Sequence, residues 1–120
     1  MEKLDERTFK CALRIIKLVN ALPRTPASDV LGRQVLRSGT SVGANMEEAF
    51  GASSKREFTR MMSIAQREAK ETHYWLRLIR DSALIPTKRV ESLIREAMEI
   101  KLILAKTVIT SKKSKTQGQN

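Results

Sequence analysis

Candidate chemistry begins with very few residues. The only histidine is His73, the only cysteine is Cys11, and two carboxylates, Glu68 and Glu71, stand out because they fall on or beside an apolar helical face. Metal sites in carboxylate bundles use Glu-x-x-His pairs on two helices, whereas the residue three before His73 is Lys70. That spacing leaves only ligation by carboxylates alone. Cys11 sits on an apolar face with no histidine near it in sequence, the pattern of a packed thiol rather than a nucleophile. With no Gly-rich phosphate loop and no nucleophile elbow, the expectation is no catalytic residue, no metal and no cofactor.

The residues that do recur at a useful spacing are cationic. Lys3, Arg7, Lys10, Arg14 and Lys17 follow one another at intervals of four, three, four and three. On a helix they share an arc of roughly 80° and a line roughly 20 Å long, comparable to several phosphate spacings of a nucleic-acid backbone. No acid falls within the arc. Arg24 extends the line, and Lys112, Lys113 and Lys115 add a second basic patch. The alternative is an ordinary solvated face. Aromatic side chains do not interleave with the cations, so a polyanion would be held by phosphate and shape rather than by base stacking.

The elements that must carry these residues follow from composition and period. A chain of 120 residues suits one domain, and 41% hydrophobic with 30% charged residues describes a globular protein. The 23 Lys and Arg against 13 Asp and Glu give a formal charge of +10, which favours polyanions without choosing between RNA, DNA and a membrane surface. No apolar run reaches the roughly 18 residues needed to span a bilayer, so no membrane partner is expected. A lone cysteine and the lack of a cationic-then-apolar leader make the cytoplasm the expected location.

Apolar spacing predicts four helices. The first covers about Leu4 to Ala21, with Leu4, Cys11, Ile15, Leu18 and Leu22 on its face, widened by Ala12, Ile16 and Val19. The second runs from Pro26, after a Thr25 N-cap, to about Phe50. The third follows the Ser54 to Glu57 capping box and ends near Asp81, and the fourth runs from Pro86 or Thr87 to Thr110. Short connections make sequential helices neighbours, an all-α, antiparallel up-down-up-down bundle over residues 1–110 with a basic flexible tail at 111–120.

Residues 37–49, R-S-G-T-S-V-G-A-N-M-E-E-A, look like a loop, yet Leu31, Val35, Val42, Met46 and Ala49 keep one helical sector across them. A turn would reset that phase, so a continuous helix is expected. Each interior glycine costs about 1 kcal/mol relative to alanine, and Gly32, Gly39 and Gly43 share a flank where another helix could approach closely. Ser38, Ser41, Asn45 and Glu48 form a polar seam that is either a solvated flank or a buried hydrogen-bonding line. Glu68 would need the seam, an arginine or Lys101 as partner. The apolar arc of the third helix also takes in Ile64 and Trp75, too wide for one core, which predicts self-association with Glu68, Glu71 and Trp75 in or near the contact.

That stretch, together with S-K-R-E-F from residue 54 and A-Q-R-E-A-K-E-T-H-Y-W-L-R-L from residue 65, resembles the four-helix-bundle proteins encoded in intervening sequences of bacterial 23S rRNA genes, over about residues 7–108. The resemblance implies an antiparallel bundle assembled as a ring-shaped homopentamer, with no established enzymatic activity and an expected role in RNA binding. It also implies a fold similar to the accessory proteins of diversity-generating retroelements, basic pentamers that bind nucleic acid and a reverse transcriptase. Its motif positions are Ser38, Gly39, Ser41, Gly43, Asn45, Glu48 and Ala49, then Glu68, Glu71, Thr72, Tyr74, Trp75 and Leu76. The function expected is non-enzymatic, homo-oligomeric binding of RNA or another nucleic acid. The alternative is a homo-oligomeric scaffold for a protein partner, such as an accessory subunit of a reverse transcriptase.

Overall fold

The computed structural model describes the backbone of residues 2–118 and the side chains of residues 2–113. Four helices make a bundle: α1 (Leu4–Asn20), α2 (Pro26–Phe50), α3 (Lys55–Asp81) and α4 (Glu91–Gly118), the last preceded by a single 3-10 turn at Thr87–Arg89. There is no strand among the described residues.

Local chemistry sets most of the boundaries. Thr25 caps α2, its hydroxyl accepting the Ser28 N–H at 3.1 Å, and Pro26 follows at the position where a missing N–H costs nothing. Ser54 caps α3 by accepting the Glu57 N–H at 3.1 Å. The reciprocal half of the expected capping box is not made, because Glu57 turns outward to the Arg60 guanidinium at 2.7 Å. Past α3 the chain turns through Ala83 at φ 57°, a left-handed conformation that a non-glycine residue adopts at a cost.

Two expectations about α4 change. It starts at Glu91 rather than at residue 86 or 87, because the chain first makes the tighter 3-10 turn. It also continues past Thr110 to Gly118, into the segment expected to be a flexible tail, of which residues 119 and 120 lie outside the described residues. Loss of apolar period does not by itself end a helix, three lysines and a glutamine among residues 111–117 favour one, and no glycine or proline intervenes before Gly118. Ser111 is buried and hydrogen-bonded to Thr59 of α3, which ties the first turn of that extension to the bundle.

α2 is unbroken across residues 37–49, as the phase of its apolar positions requires. Val35, Val42, Met46 and Ala49 are buried with Ile15 and Leu18 of α1, Met62, Leu76 and Ile79 of α3, and Leu93, Ala97 and Leu104 of α4. The glycine flank receives α1. Gly32 faces Val19 and Leu22, Gly39 faces Ile15, and Gly43 faces Thr8. A methyl group added at Gly39 would fall well inside van der Waals contact of Ile15 Cδ1, and Ile15 has no exposed surface into which to move. At Gly32 the same methyl would meet its neighbours at an ordinary 3.4 Å.

The two glycines therefore separate propensity from packing. Gly32→Ala should raise stability by up to about 1 kcal/mol through helix propensity, whereas Gly39→Ala should lower it, since overpacking costs about 1–3 kcal/mol. Denaturant unfolding of the two variants checks the order. A Gly39→Ala protein more stable than the native chain would remove the reason given for that glycine.

Candidate nucleic-acid interface

The cationic edge of α1 is built by the same packing. With Cys11, Ile15 and Leu18 turned into the core, Arg7, Lys10, Arg14 and Lys17 come out along one side, next to α4. The structure divides them. Arg7 grips Glu96 of α4 with both ends of its fork, Nε to Oε2 at 3.1 Å and Nη2 to Oε1 at 2.6 Å, and has Glu99 at 3.6 Å. Its side chain is 21% exposed. Lys10 is exposed and paired with Glu2. Both carry an acid that the α1 wheel does not contain.

The other end of the line is different. Arg14 is exposed and donates through Nη2 to the neutral Ser92 hydroxyl of α4 at 2.6 Å. Lys17 is exposed beside it, and Arg89 of the 3-10 turn comes in from the opposite wall. Lys3, Arg24, Lys112 and Lys113 are also exposed, while the side chain of Lys115 lies outside the described residues. Arg89 was not singled out by sequence. The signal that finds it is register, because Arg14 touching Ser92 brings residues 89–92 against residues 14–17.

The polar seam of α2 resolves into parts rather than into one of its two readings. Ser38 is buried and accepts from the Thr72 hydroxyl of α3 at 2.9 Å. Ser41 and Asn45 donate to carbonyls one turn back in their own helix, at 2.7 and 2.8 Å, and Glu48 is exposed. Glu68, 13% exposed at its side chain, is answered by an arginine: Arg37 spans α2 to α3, with Nη1 at 3.1 Å from Glu68 and Nη2 at 2.6 Å from Glu71. One guanidinium thus satisfies two carboxylates. Trp75 is half-buried, edge-on to Tyr74 with ring centroids 5.1 Å apart, and its buried indole N–H has no acceptor among the described residues.

Lys101, the other partner considered for Glu68, faces His73 instead, with Nζ 3.4 Å from Nδ1. An ammonium can only donate, so Nδ1 accepts and the ring proton belongs on Nε2. Burial pushes the His73 imidazole below its ordinary value, and the charges of Lys101, Arg77 and Arg80 push the same way. Burial also lifts the Cys11 thiol to about 11, the nearby Glu96 carboxylate adding to it. That thiol lines a core void of about 10 Å³. No group of three or more His, Cys, Asp or Glu among the described residues is placed to hold a metal ion, and no described helix is long and apolar enough to cross a membrane.

Comparison with known proteins agrees with this architecture. The family model of the 23S rRNA-intervening sequence proteins matches residues 3–106, which include the α1 edge and the α2 and α3 seam. The chain belongs to the 23S rRNA-intervening sequence protein family. A crystal structure of a protein with unknown function from the S23 ribosomal protein family of Bacteroides thetaiotaomicron is 35% identical, with a TM-score of 0.81 over 88% of this chain and 98% of that one. Among curated proteins, none matches. The family match thus covers the whole of α1, α2 and α3, together with most of α4.

His73 generates a pH prediction. The folded state holds the ring neutral, while the unfolded chain takes up a proton below its ordinary value of 6.5. The stability this group lends is present above that value and drains away as the pH falls from there toward the lower folded value. Denaturant midpoints should decline from pH 7.5 to pH 5.5, and His73→Gln should flatten the decline. An equally steep loss in the variant would mean that His73 is not its source.

Proposed function

We propose that this protein is a non-enzymatic, homo-oligomeric RNA-binding protein of the cytoplasm that holds nucleic acid by phosphate and shape along the α1 edge. The observation that carries the reading is the end of the cationic line at Arg14 and Lys17, exposed and free of acid partners among the described residues. Arg7 and Lys10 contribute less than the α1 wheel alone suggests, because each is already matched to a carboxylate. Partly satisfied cations release fewer counterions and add less to affinity.

The assembly belongs to the same proposal. The residue pairs 22 with 32, 15 with 39 and 8 with 43 between α1 and α2, and 59 with 111, 73 with 101 and 80 with 91 between α3 and α4, rise on one helix and fall on the other, which supports an antiparallel up-down-up-down bundle. Self-association is supported by apolar side chains facing solvent in the single chain: Phe9, 60% exposed, with Leu13 and Ile16 on the outer side of α1, and Leu102 and Ile109 on α4. Ile16, expected to widen the core face, belongs to this outer row. The number five and the ring come from the family resemblance. Glu68 and Glu71 are occupied by Arg37 within the chain, so their part in a subunit contact would be to shape α3 beside Trp75 rather than to pair across it.

The experiment is binding of a structured RNA at several salt concentrations, with light scattering of the same samples. Arg14→Gln with Lys17→Gln should weaken binding about tenfold and make the logarithmic salt slope shallower by about two, while the assembly stays intact. An unchanged slope would remove the α1 edge from the interface. A monomer at micromolar concentration would contradict the assembly.

A further inference from the structure

Arg14, Lys17 and Arg89 do more than end a line. They converge on an open hollow of about 280 Å³ between α1 and the start of α4, lined by these three cations and by Leu18 and Leu93. Both leucines are buried, at 6% and 3% exposure, so they form the floor and the cations form the rim. No acid lines it. The acids that flank Ser92 and Leu93 in the sequence of α4 are committed elsewhere: Glu91 accepts from Arg80 at 3.2 Å, and Glu96 is held by Arg7. Three like charges around one concavity repel one another, and an anion placed there relieves that cost.

The geometry also supplies directed hydrogen bonds. Ser92 accepts from Arg14, which orients the guanidinium and leaves the serine hydroxyl hydrogen unused in that contact. Arg14 and Arg89 offer planar forks suited to two oxygens of one phosphorus, and Lys17 offers a mobile ammonium. We propose that this hollow is a phosphate-binding pocket that takes one phosphate group per subunit. A phosphate monoester, with nearly two negative charges at neutral pH, gains more from three unshared cations than a backbone diester with one. The pocket therefore favours a strand end over a strand interior, and the same chemistry admits inorganic phosphate. The identity of the strand rests on the RNA-binding reading above, whereas the pocket does not.

The test separates the two. Affinities are measured for one RNA oligonucleotide prepared with phosphates at both ends or with hydroxyls at both ends. The phosphorylated strand should bind about tenfold tighter, and millimolar inorganic phosphate should erase the advantage. The Arg89 side chain is exposed and has no partner among the described residues, so Arg89→Gln should fold normally, abolish the end-phosphate advantage, and weaken the hydroxyl-ended strand by no more than about threefold. Equal affinity for both strands in the native protein, or an advantage that survives Arg89→Gln, would overturn the pocket. If neither strand binds, the RNA-binding reading fails, and titration of inorganic phosphate followed by phosphorus NMR still decides. Saturable binding that Arg89→Gln removes supports the pocket, and its absence in the native protein overturns it.

Discussion

How closely α1 can lie against α2 decides what the surface of this protein presents. At Gly39 the helix gives up a side chain, and Ile15 fills the space down to zero exposure. A helix docked that tightly has little rotational freedom, because interiors are close-packed and an ångström of rotation would lift Ile15 off its seat. Once Ile15 and Leu18 are fixed inward, the positions of every cation on α1 follow from the 100° step between residues. Arg7 then meets Glu96, and Arg14 meets Ser92. Poor helix formers in the middle of α2 are thus the local cost of a defined basic edge on its neighbour.

Charge is partitioned along the same logic. The two least exposed of the paired carboxylates, Glu68 and Glu96, are both answered by an arginine of another helix: Glu96 by Arg7, and Glu68, with Glu71 beside it, by Arg37. A carboxylate at 13% exposure without a counter-charge would destabilise the fold, so these pairings have a structural reason independent of any ligand. The consequence is an uneven surface. Arg7 and Lys10, toward the N-terminus of α1, are balanced by acids, while Arg14 and Lys17 at its C-terminal end share a hollow with Arg89 and no acid. A chain with a formal charge of +10 acquires in this way a hollow where positive charge is concentrated and no acid lines the wall.

Helix identity and most boundaries were readable from the chain because their causes are local. Thr25 with Pro26, and Ser54 with its N–H acceptor geometry, announce α2 and α3, and the unbroken apolar phase through residues 37–49 excludes a turn. Gly39 was readable as a close approach for the same reason. Less local features were not. The 3-10 turn before α4 depends on how the chain leaves Ala83, and the extension of α4 depends on Ser111 finding Thr59 from another helix. Ile16 lies at the margin of the α1 wheel, where only packing decides between core and solvent. The acids that meet Arg7 and Lys10, and the arrival of Arg89 beside Lys17, require the register of α1 against α4 and against the residues ahead of α1. No single-helix pattern contains that register.

The claim that joins fold to function is that the free cationic end of α1, with the turn before α4, is where nucleic acid touches the protein. Backbone amide hydrogen exchange with and without bound RNA tests it most directly. Added protection should concentrate at residues 14–18 and 87–93, with the α2 and α3 seam around residues 37–45 and 68–75 unchanged. Protection confined to that seam, with none at the α1 and α4 junction, would contradict the account.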